Sequence, residues 1–340
     1  MSFLSDTTAP AHPSLIEAIA RANTDFAPSY GADAISARVK AQLCEIFETD
    51  LEVLFVISGT ASNALALSIL ADPDGAIFCH DEAHIHRDER GAPEFFTQGA
   101  KLIPLHGEHG RIDPKSLEAA LAQWPRDFLH AAPPQVLSLS QLNEAGCAYS
   151  RDQLDALIAP AKAAGLKIHM DGARFANALV TNGLSPAELT WKVGVDSLCM
   201  GATKNGALGA EAIILFPSVK DRFARLQARQ KRAGHMAPKM RFIAAQYEAW
   251  LKDDLWLDLA RHANAKALDL KAIFESQGEI GFAHPVEGNE LFVHMPAPIA
   301  ERLRQAGIGF YGWPDGSARF VTSWCTSDAD IERVNAALKP

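Results

Sequence analysis

Cysteine is scarce: the 340 residues hold five, at positions 44, 79, 147, 199 and 325, an odd number with no CxxC spacing. That excludes a disulfide framework and a zinc ribbon, and it favours reduced thiols, with Cys44, Cys79 and Cys199 set in apolar segments. No cluster of lysine and arginine offsets a net charge of −9, so a general nucleic-acid binder is not expected. Ala228-Arg229-Gln230-Lys231-Arg232 is short enough to be a solvated helix face. No apolar stretch is long enough to span a bilayer, and the N-terminus has neither a basic region nor an apolar one. A cytoplasmic protein without membrane or nucleic-acid partners is therefore expected. Walker A, GxGxxG and HExxH patterns are missing too, so neither a nucleotide nor a catalytic zinc is implied.

What remains is 48% apolar and 21% charged, a composition suited to a substantial core. Short apolar runs at 53–58, 76–80, 101–105, 136–139, 167–170, 197–200 and 212–216 alternate with helical patterns such as 61–70, 114–123 and 151–164. This alternation predicts an α/β fold with a mainly parallel seven-stranded sheet covered on both faces. Beyond residue 216 the pattern shifts to long helices at 220–232 and 242–277. Strands at 289–294 and 318–323 and helices at 300–306 and 329–338 then suggest a smaller C-terminal α+β unit. A division into 1–245 and 246–340 follows, with residues 1–30 a candidate to pack on the small domain.

Three strand ends carry polar groups. Ser58-Gly59-Thr60-Ala61-Ser62-Asn63 opens a helix whose free amides and dipole suit a phosphate, though a serine there is first of all a helix cap. His169-Met170-Asp171-Gly172-Ala173-Arg174 ends a strand on a carboxylate, which either caps the next helix with Arg174 as ion-pair partner or holds a proton on a heterocyclic nitrogen. Leu198-Cys199-Met200-Gly201-Ala202-Thr203-Lys204 ends another on a lysine among small residues, small enough to leave room for a bulky group. Phosphate cradle, aspartate and lysine in this order suit pyridoxal phosphate, whose aldehyde forms a Schiff base with a lysine. His80, His84 and His86 lie among carboxylates. An HxH pair could meet a metal if extended, but no ligand framework supports one, and His84 better suits an aromatic shelf against the cofactor ring. Arg319 interrupts an apolar strand and fits a carboxylate, of substrate or of the protein.

These motifs, from Leu4-Ser5-Asp6-Thr7 to Arg319-Phe320-Val321-Thr322, resemble the low-specificity L-threonine aldolases of the fold-type-I, aminotransferase-like pyridoxal-phosphate enzymes. The resemblance implies retro-aldol cleavage of threonine, allo-threonine and other β-hydroxy-α-amino acids such as phenylserine to glycine and an aldehyde. A β-eliminating lyase of the same fold is the alternative. It also implies a homotetramer, a dimer of dimers with shared sites. By the same resemblance Lys204 is the Schiff-base lysine and Asp171 the partner of the pyridine nitrogen. Arg174 touches the ring hydroxyl and the substrate carboxylate, Gly59 and Thr60 bind phosphate, and His84 stacks on the ring. Ser5 and Arg319 match substrate-carboxylate positions, and Tyr30 a tyrosine donated across the dimer. Lys239 or Arg241 would reach a neighbouring subunit's phosphate. For the β-hydroxyl proton His84 is the first candidate base, and His86, a candidate substrate contact, is the second. Two departures stand out. The family's E-N-T-H-N-G stretch is here Ser140-Gln141-Leu142-Asn143-Glu144-Ala145-Gly146, without histidine, and the usual Ser-Lys-Gly is Thr203-Lys204-Asn205.

Overall fold

Uninterrupted apolar runs make the central strands, as strands covered on both faces require. The computed structural model describes residues 2–126 and 128–339. Its large sheet contains β1 (Glu52–Val56), β2 (Ala76–His80), β3 (Lys101–Leu105), β4 (Pro134–Ser140), β5 (Lys167–Gly172), β6 (Ser197–Gly201) and β7 (Glu211–Leu215), in the order β1-β7-β6-β5-β4-β2-β3. β2 pairs in parallel with β3 and β4, β4 with β5, and β5 with β6. β7 alone runs against both its neighbours, β1 and β6. Its first residue, Glu211, therefore lies at the same sheet edge as the last residues of β4, β5 and β6. That is the edge where open α/β sheets collect ligands.

Alternation along the strands splits the core in two. Ile77, Cys79, Val136, Cys199 and Ile213 face the helix Gly59–Leu70, which is buried all along residues 61–70. Phe78, Leu137, Met170, Leu198 and Ile214 face the opposite layer, with helices Ala34–Ile46, Arg151–Ala163 and Arg241–Leu251. The described cysteines are all free; Cys79, Cys147 and Cys199 are buried, Cys44 half-buried and Cys325 exposed.

The expected helix over 242–277 is broken. Helix Arg241–Leu251 ends at a single turn, Lys252–Asp254, in which Asp253 and Asp254 take positive φ of 52° and 56°. Helix Leu255–Glu275 then starts in a new direction. Aspartate tolerates this left-handed region better than most residues. The break seats Trp250 against Trp256, with ring centroids 5.5 Å apart.

A second, antiparallel sheet is built from β8 (Gly281–Phe282), β9 (Glu290–His294), β10 (Tyr311–Gly312) and β11 (Ala318–Val321) in the order β10-β11-β9-β8. The N-terminus joins it: the Phe3 amide donates to the Gly309 carbonyl, the Val321 amide donates to Phe3, and the Phe3 ring enters this core. Helix Pro13–Ala22 instead lies against Arg241–Leu251 through Ala18, Ala22 and Ala245. Helix Leu255–Glu275 serves both cores, giving Trp256 and Leu259 to one and Leu270 and Phe274 to the other. The division at residue 245 therefore stands as a proposal about packing units.

Phe320 is the hub of the small core, fully buried and stacked on Phe310 at 4.7 Å, with Phe274 at 5.1 Å. Phe320→Ala should lower stability by about 3–5 kcal/mol, read as a lower urea midpoint at unchanged slope.

Candidate active site

Asp171 is the last charged residue of β5 and is only 7% exposed. Its Oδ2 accepts from the Asn63 side-chain amide at 2.7 Å, and its Oδ1 from the Ala173 backbone amide at 2.9 Å. Burial alone would raise its pKa. The His84 charge, the two amides and His169 outweigh that effect and hold the carboxyl below its usual range. The expected pairing with Arg174 is not formed; Asp171 bonds the turn beyond its own strand instead.

Asn63 lies one turn into helix Gly59–Leu70, and the same amide nitrogen donates to Glu89 Oε1 at 2.8 Å. Glu89 in turn holds His84 Nδ1 at 2.8 Å. That bond to Glu89 raises the His84 pKa, against the opposing effect of burial and with help from Asp171. Burial raises Glu89 as well, with His84 and Asn63 pulling the other way. His84 opens the one-turn helix His84–Arg87, so His86 points elsewhere and is exposed, and the extended HxH arrangement does not occur.

Lys204 sits in the turn Thr203–Asn205 that follows β6. Among the described residues its amine has no hydrogen-bond or ion-pair partner. The turn is fixed from behind. Asn205 donates to the Trp256 carbonyl at 2.8 Å, the Trp250 indole donates to the Asn205 carbonyl at 3.0 Å, and Tyr247 donates to the Met200 carbonyl. This gives Asn205 a structural reason to stand where glycine was expected. Among the small neighbours of Lys204, Gly201 is required by packing. A Cβ on Gly201 would meet the Ala173 carbonyl oxygen at 2.8 Å and Glu211 Oε2 at 2.9 Å.

A cavity of about 280 Å³ joins these groups. Its wall includes Gly59, Thr60, His84, Asp171, Arg174 and Lys204, together with Thr7, Asn63, Ser140, Glu144 and Glu211. Ser58 does cap the helix, accepting from the Ala61 amide at 3.3 Å. The first-turn amides of Gly59 and Thr60 have no intrahelical acceptor, and a Cβ on Gly59 would meet nothing within 4 Å. The wall thus pairs an open amide cradle with a lysine amine and an ionised carboxylate, the donor set that pyridoxal phosphate needs at its phosphate, aldehyde and ring nitrogen. The residues fit that cofactor.

Of the other expected residues, Ser5, His86, Tyr30, Lys239, Arg241 and Arg319 lie off this wall, whereas Arg174 is on it but engaged by two acids. Ser5 caps the turn Asp6–Thr8 and presents Thr7 to the cavity in its place. Arg174 grips Asp6 through Nε at 2.7 Å and Nη2 at 3.1 Å, while its Nη1 lies 3.2 Å from Glu290. Arg319 lies over the Trp313 ring at 4.8 Å, donates to the Leu4 carbonyl, and has a buried Nε without a partner. Tyr30 is on the surface beneath Lys231, its amide bonded to the Pro238 carbonyl at 3.1 Å. Lys239 and Arg241 line a separate surface hollow with Thr24–Ser29. Asn63, Glu89, Glu144, Glu211, Asp6 and Glu290 were not assigned roles from the sequence. For Glu211 a signal existed, since an acid inside the run Gly209-Ala210-Glu211-Ala212-Ile213-Ile214 is as anomalous as the lysine before it.

The histidine–glutamate pair makes a checkable statement. A His pKa raised by folding contributes stability below the unfolded value near ~6.5 and loses it as pH rises through the folded one. Glu89→Gln should remove this contribution and move the His84 titration midpoint downward, as measured by NMR of ¹³C-labelled histidine.

Comparison with known proteins converges on one family. Residues 2–298 match the family model described as β-eliminating lyase. The chain is 42% identical over 333 residues to a low specificity L-threonine aldolase of Pseudomonas aeruginosa, covering 98% of this chain and 94% of that one. It is 40% identical to the enzyme of the same name from a Pseudomonas species, covering 99% and 96%. A threonine aldolase from Leishmania major superposes with a TM-score of 0.92 at 30% identity over 99% of this chain and 98% of that one. An aspartate aminotransferase from Thermus thermophilus shares the fold, with a TM-score of 0.70 at 16% identity. The chain therefore belongs to the β-eliminating lyase family and, within it, to the low-specificity L-threonine aldolases, carbon–carbon lyases that depend on pyridoxal phosphate.

Proposed function

We propose that this chain cleaves L-threonine and L-allo-threonine, and other β-hydroxy-α-amino acids such as phenylserine, to glycine and the corresponding aldehyde. The observation that carries the reading is the unpartnered Lys204 amine in one cavity with an ionised Asp171 and an open helix N-terminus. When bound, pyridoxal phosphate supplies an acceptor for the electron pair released as the substrate's Cα–Cβ bond breaks.

The chain's own residues do the rest. Lys204, whose amine is unpartnered among the described residues, would be the residue that holds the cofactor's aldehyde. Asp171 keeps a proton on the ring nitrogen, a task suited to a carboxylate held below its usual range. The amides of Gly59 and Thr60 take the phosphate, and Lys239 or Arg241 approaches it from a neighbouring subunit. His84 on the cavity wall would lie against the ring. With Nδ1 committed to Glu89, it turns only Nε2 toward a ligand, and its raised pKa favours donating a hydrogen bond there over accepting a proton. Arg174, Arg319 and Ser5 orient the substrate carboxylate; the unpartnered Nε of Arg319 supports its part. Orienting that carboxylate fixes which bond to Cα stands across the ring plane.

Tyr30 completes a neighbouring protomer's site in a homotetramer. Support comes from large apolar side chains left exposed: Ile57 of the cavity wall at 58%, Leu208 at 66%, and Phe26, fully exposed beside the hollow of Lys239 and Arg241. No described helix is long and apolar enough to cross a membrane, and a cytoplasmic location belongs to the same proposal.

The family description favours one second reading, β-elimination from a small amino acid such as serine. Purified protein given threonine should release acetaldehyde, and given serine should release little pyruvate; faster pyruvate release would reverse the assignment. The protein should also be yellow and trapped by borohydride as a covalent adduct, whereas Lys204→Ala should yield no adduct and cleave threonine only at background rate.

A further inference from the structure

We propose that Glu144 is the group that takes the proton from the β-hydroxyl of the substrate. This rests on the aldolase reading above and adds the residue that reading leaves open. The cavity wall holds six titratable side chains among the described residues: His84, Glu144, Asp171, Arg174, Lys204 and Glu211. Four are committed elsewhere. Asp171 spends both oxygens on Asn63 and Ala173, Arg174 is a cation held by Asp6 and Glu290, Lys204 serves the cofactor, and His84 is biased toward its charged form. Glu211, at the start of β7, is hydrogen-bonded with Thr203 and faces the Lys204 charge.

Glu144 differs in geometry. The loop after β4 carries it to the side of His84. There its Oε1 accepts from the His84 backbone amide at 2.8 Å and from the Ser140 hydroxyl at 2.7 Å. Those two bonds fix the carboxylate. Its Oε2 is buried and has no partner, which makes it the one cavity-wall carboxylate oxygen that is both enclosed and unspent among the described residues. An unsatisfied buried acceptor is costly unless a ligand meets it.

The electrostatics agree. Burial and the neighbouring Asp171 charge push Glu144 up to about 7, against the His84 amide and the Ser140 hydroxyl, which lower it. The other groups that face it are Arg174 beyond β5, Cys79 on β2 and Tyr149 after the β4 loop. A base with a pKa near the working pH combines availability with driving force. In the step itself the hydroxyl O–H bond breaks and its proton passes to Oε2. The oxygen's electron pair becomes the second bond of the aldehyde carbonyl, and the Cα–Cβ pair goes to the electron acceptor named above.

The test compares the holoenzymes of wild type, Glu144→Gln and Glu144→Asp. Wild-type kcat/KM for threonine should rise with pH through a midpoint near the value of about 7 given for this carboxyl. Glu144→Gln should lose about 10²–10⁴-fold in kcat together with that ascending limb, and Glu144→Asp should recover part of both. Glycine lacks the hydroxyl, so its Kd, read from the change in visible absorbance, should stay within about threefold in Glu144→Gln. Two results would overturn the assignment: threonine cleavage by Glu144→Gln near the wild-type rate with an unchanged profile, or loss of glycine binding in parallel with cleavage, which marks a structural role. A wild type that binds glycine yet releases no acetaldehyde instead sinks the aldolase reading, so the two failures are told apart.

Discussion

An ionised carboxylate where water hardly reaches is the constraint around which the site is arranged. Removing such a group from water costs several kcal/mol after relaxation, and Asp171 meets that cost with one backbone amide, one side-chain amide and one nearby cation. Each partner brings a requirement of its own. The hydrogen bond from Glu89 raises the His84 pKa, and Glu89 is itself buried and bonded by Asn63. One asparagine amide therefore ties two acids together and links the sheet to the His84 imidazole. His169, two residues back on the same strand, is pushed down to about 4 by burial and bonds Ser138, so its charge acts on Asp171 only in acid. Above that range the cation acting on Asp171 is His84.

A second buried network, of two acids and two arginines, lies beside the first. Asp6 and Glu290 face Arg174 and Arg319, so the set is formally neutral before any ligand carboxylate arrives. Burial raises Glu290 while both arginines lower it. Asp6, with a two-pronged grip from Arg174 and an Asn289 amide, is held down despite its burial. Arg174 is thereby rigid, as suits a group that must present one edge of its guanidinium in a fixed direction. Arg319 is held more loosely, by ring faces, one carbonyl and the Glu290 carboxylate at 3.8 Å.

Much of this was legible in the residues alone, and the reason is local. Strands covered on both faces must be apolar along their length, so a polar residue that ends one is conspicuous; Ser58, Asp171 and Lys204 were found that way. What stayed hidden depends on pairs far apart in the chain. Asp6 meets Arg174 across 168 positions and Asn289 across 283, and no periodicity reports such meetings. Nor could the pattern show that β7 runs backwards, because a buried strand reads the same in either direction. The break at Asp253-Asp254 was missed because alanine- and leucine-rich segments on both sides favour helix, and the packing of Trp250 on Trp256 decides the matter. His86 was weighed with His84 because spacing alone does not distinguish one helical turn from an extended strand. Glu144 stands in the very segment where a histidine was missed, but only its position against the His84 amide gives it meaning.

The meeting of Asp6 with Arg174 and Asn289 also bears on how the molecule comes into being. Residues that leave the ribosome first have their docking partners among those that leave near the end, since Phe3 needs Val321 and Gly309 as neighbours. The lysine turn and the amide cradle can form while synthesis is still under way, but the arginine that Asp6 steadies stays unsupported until the small sheet exists. A chain still being made thus has the lysine turn and the amide cradle before it has a steadied Arg174. The fold makes that steadying conditional on the chain being read through to β11.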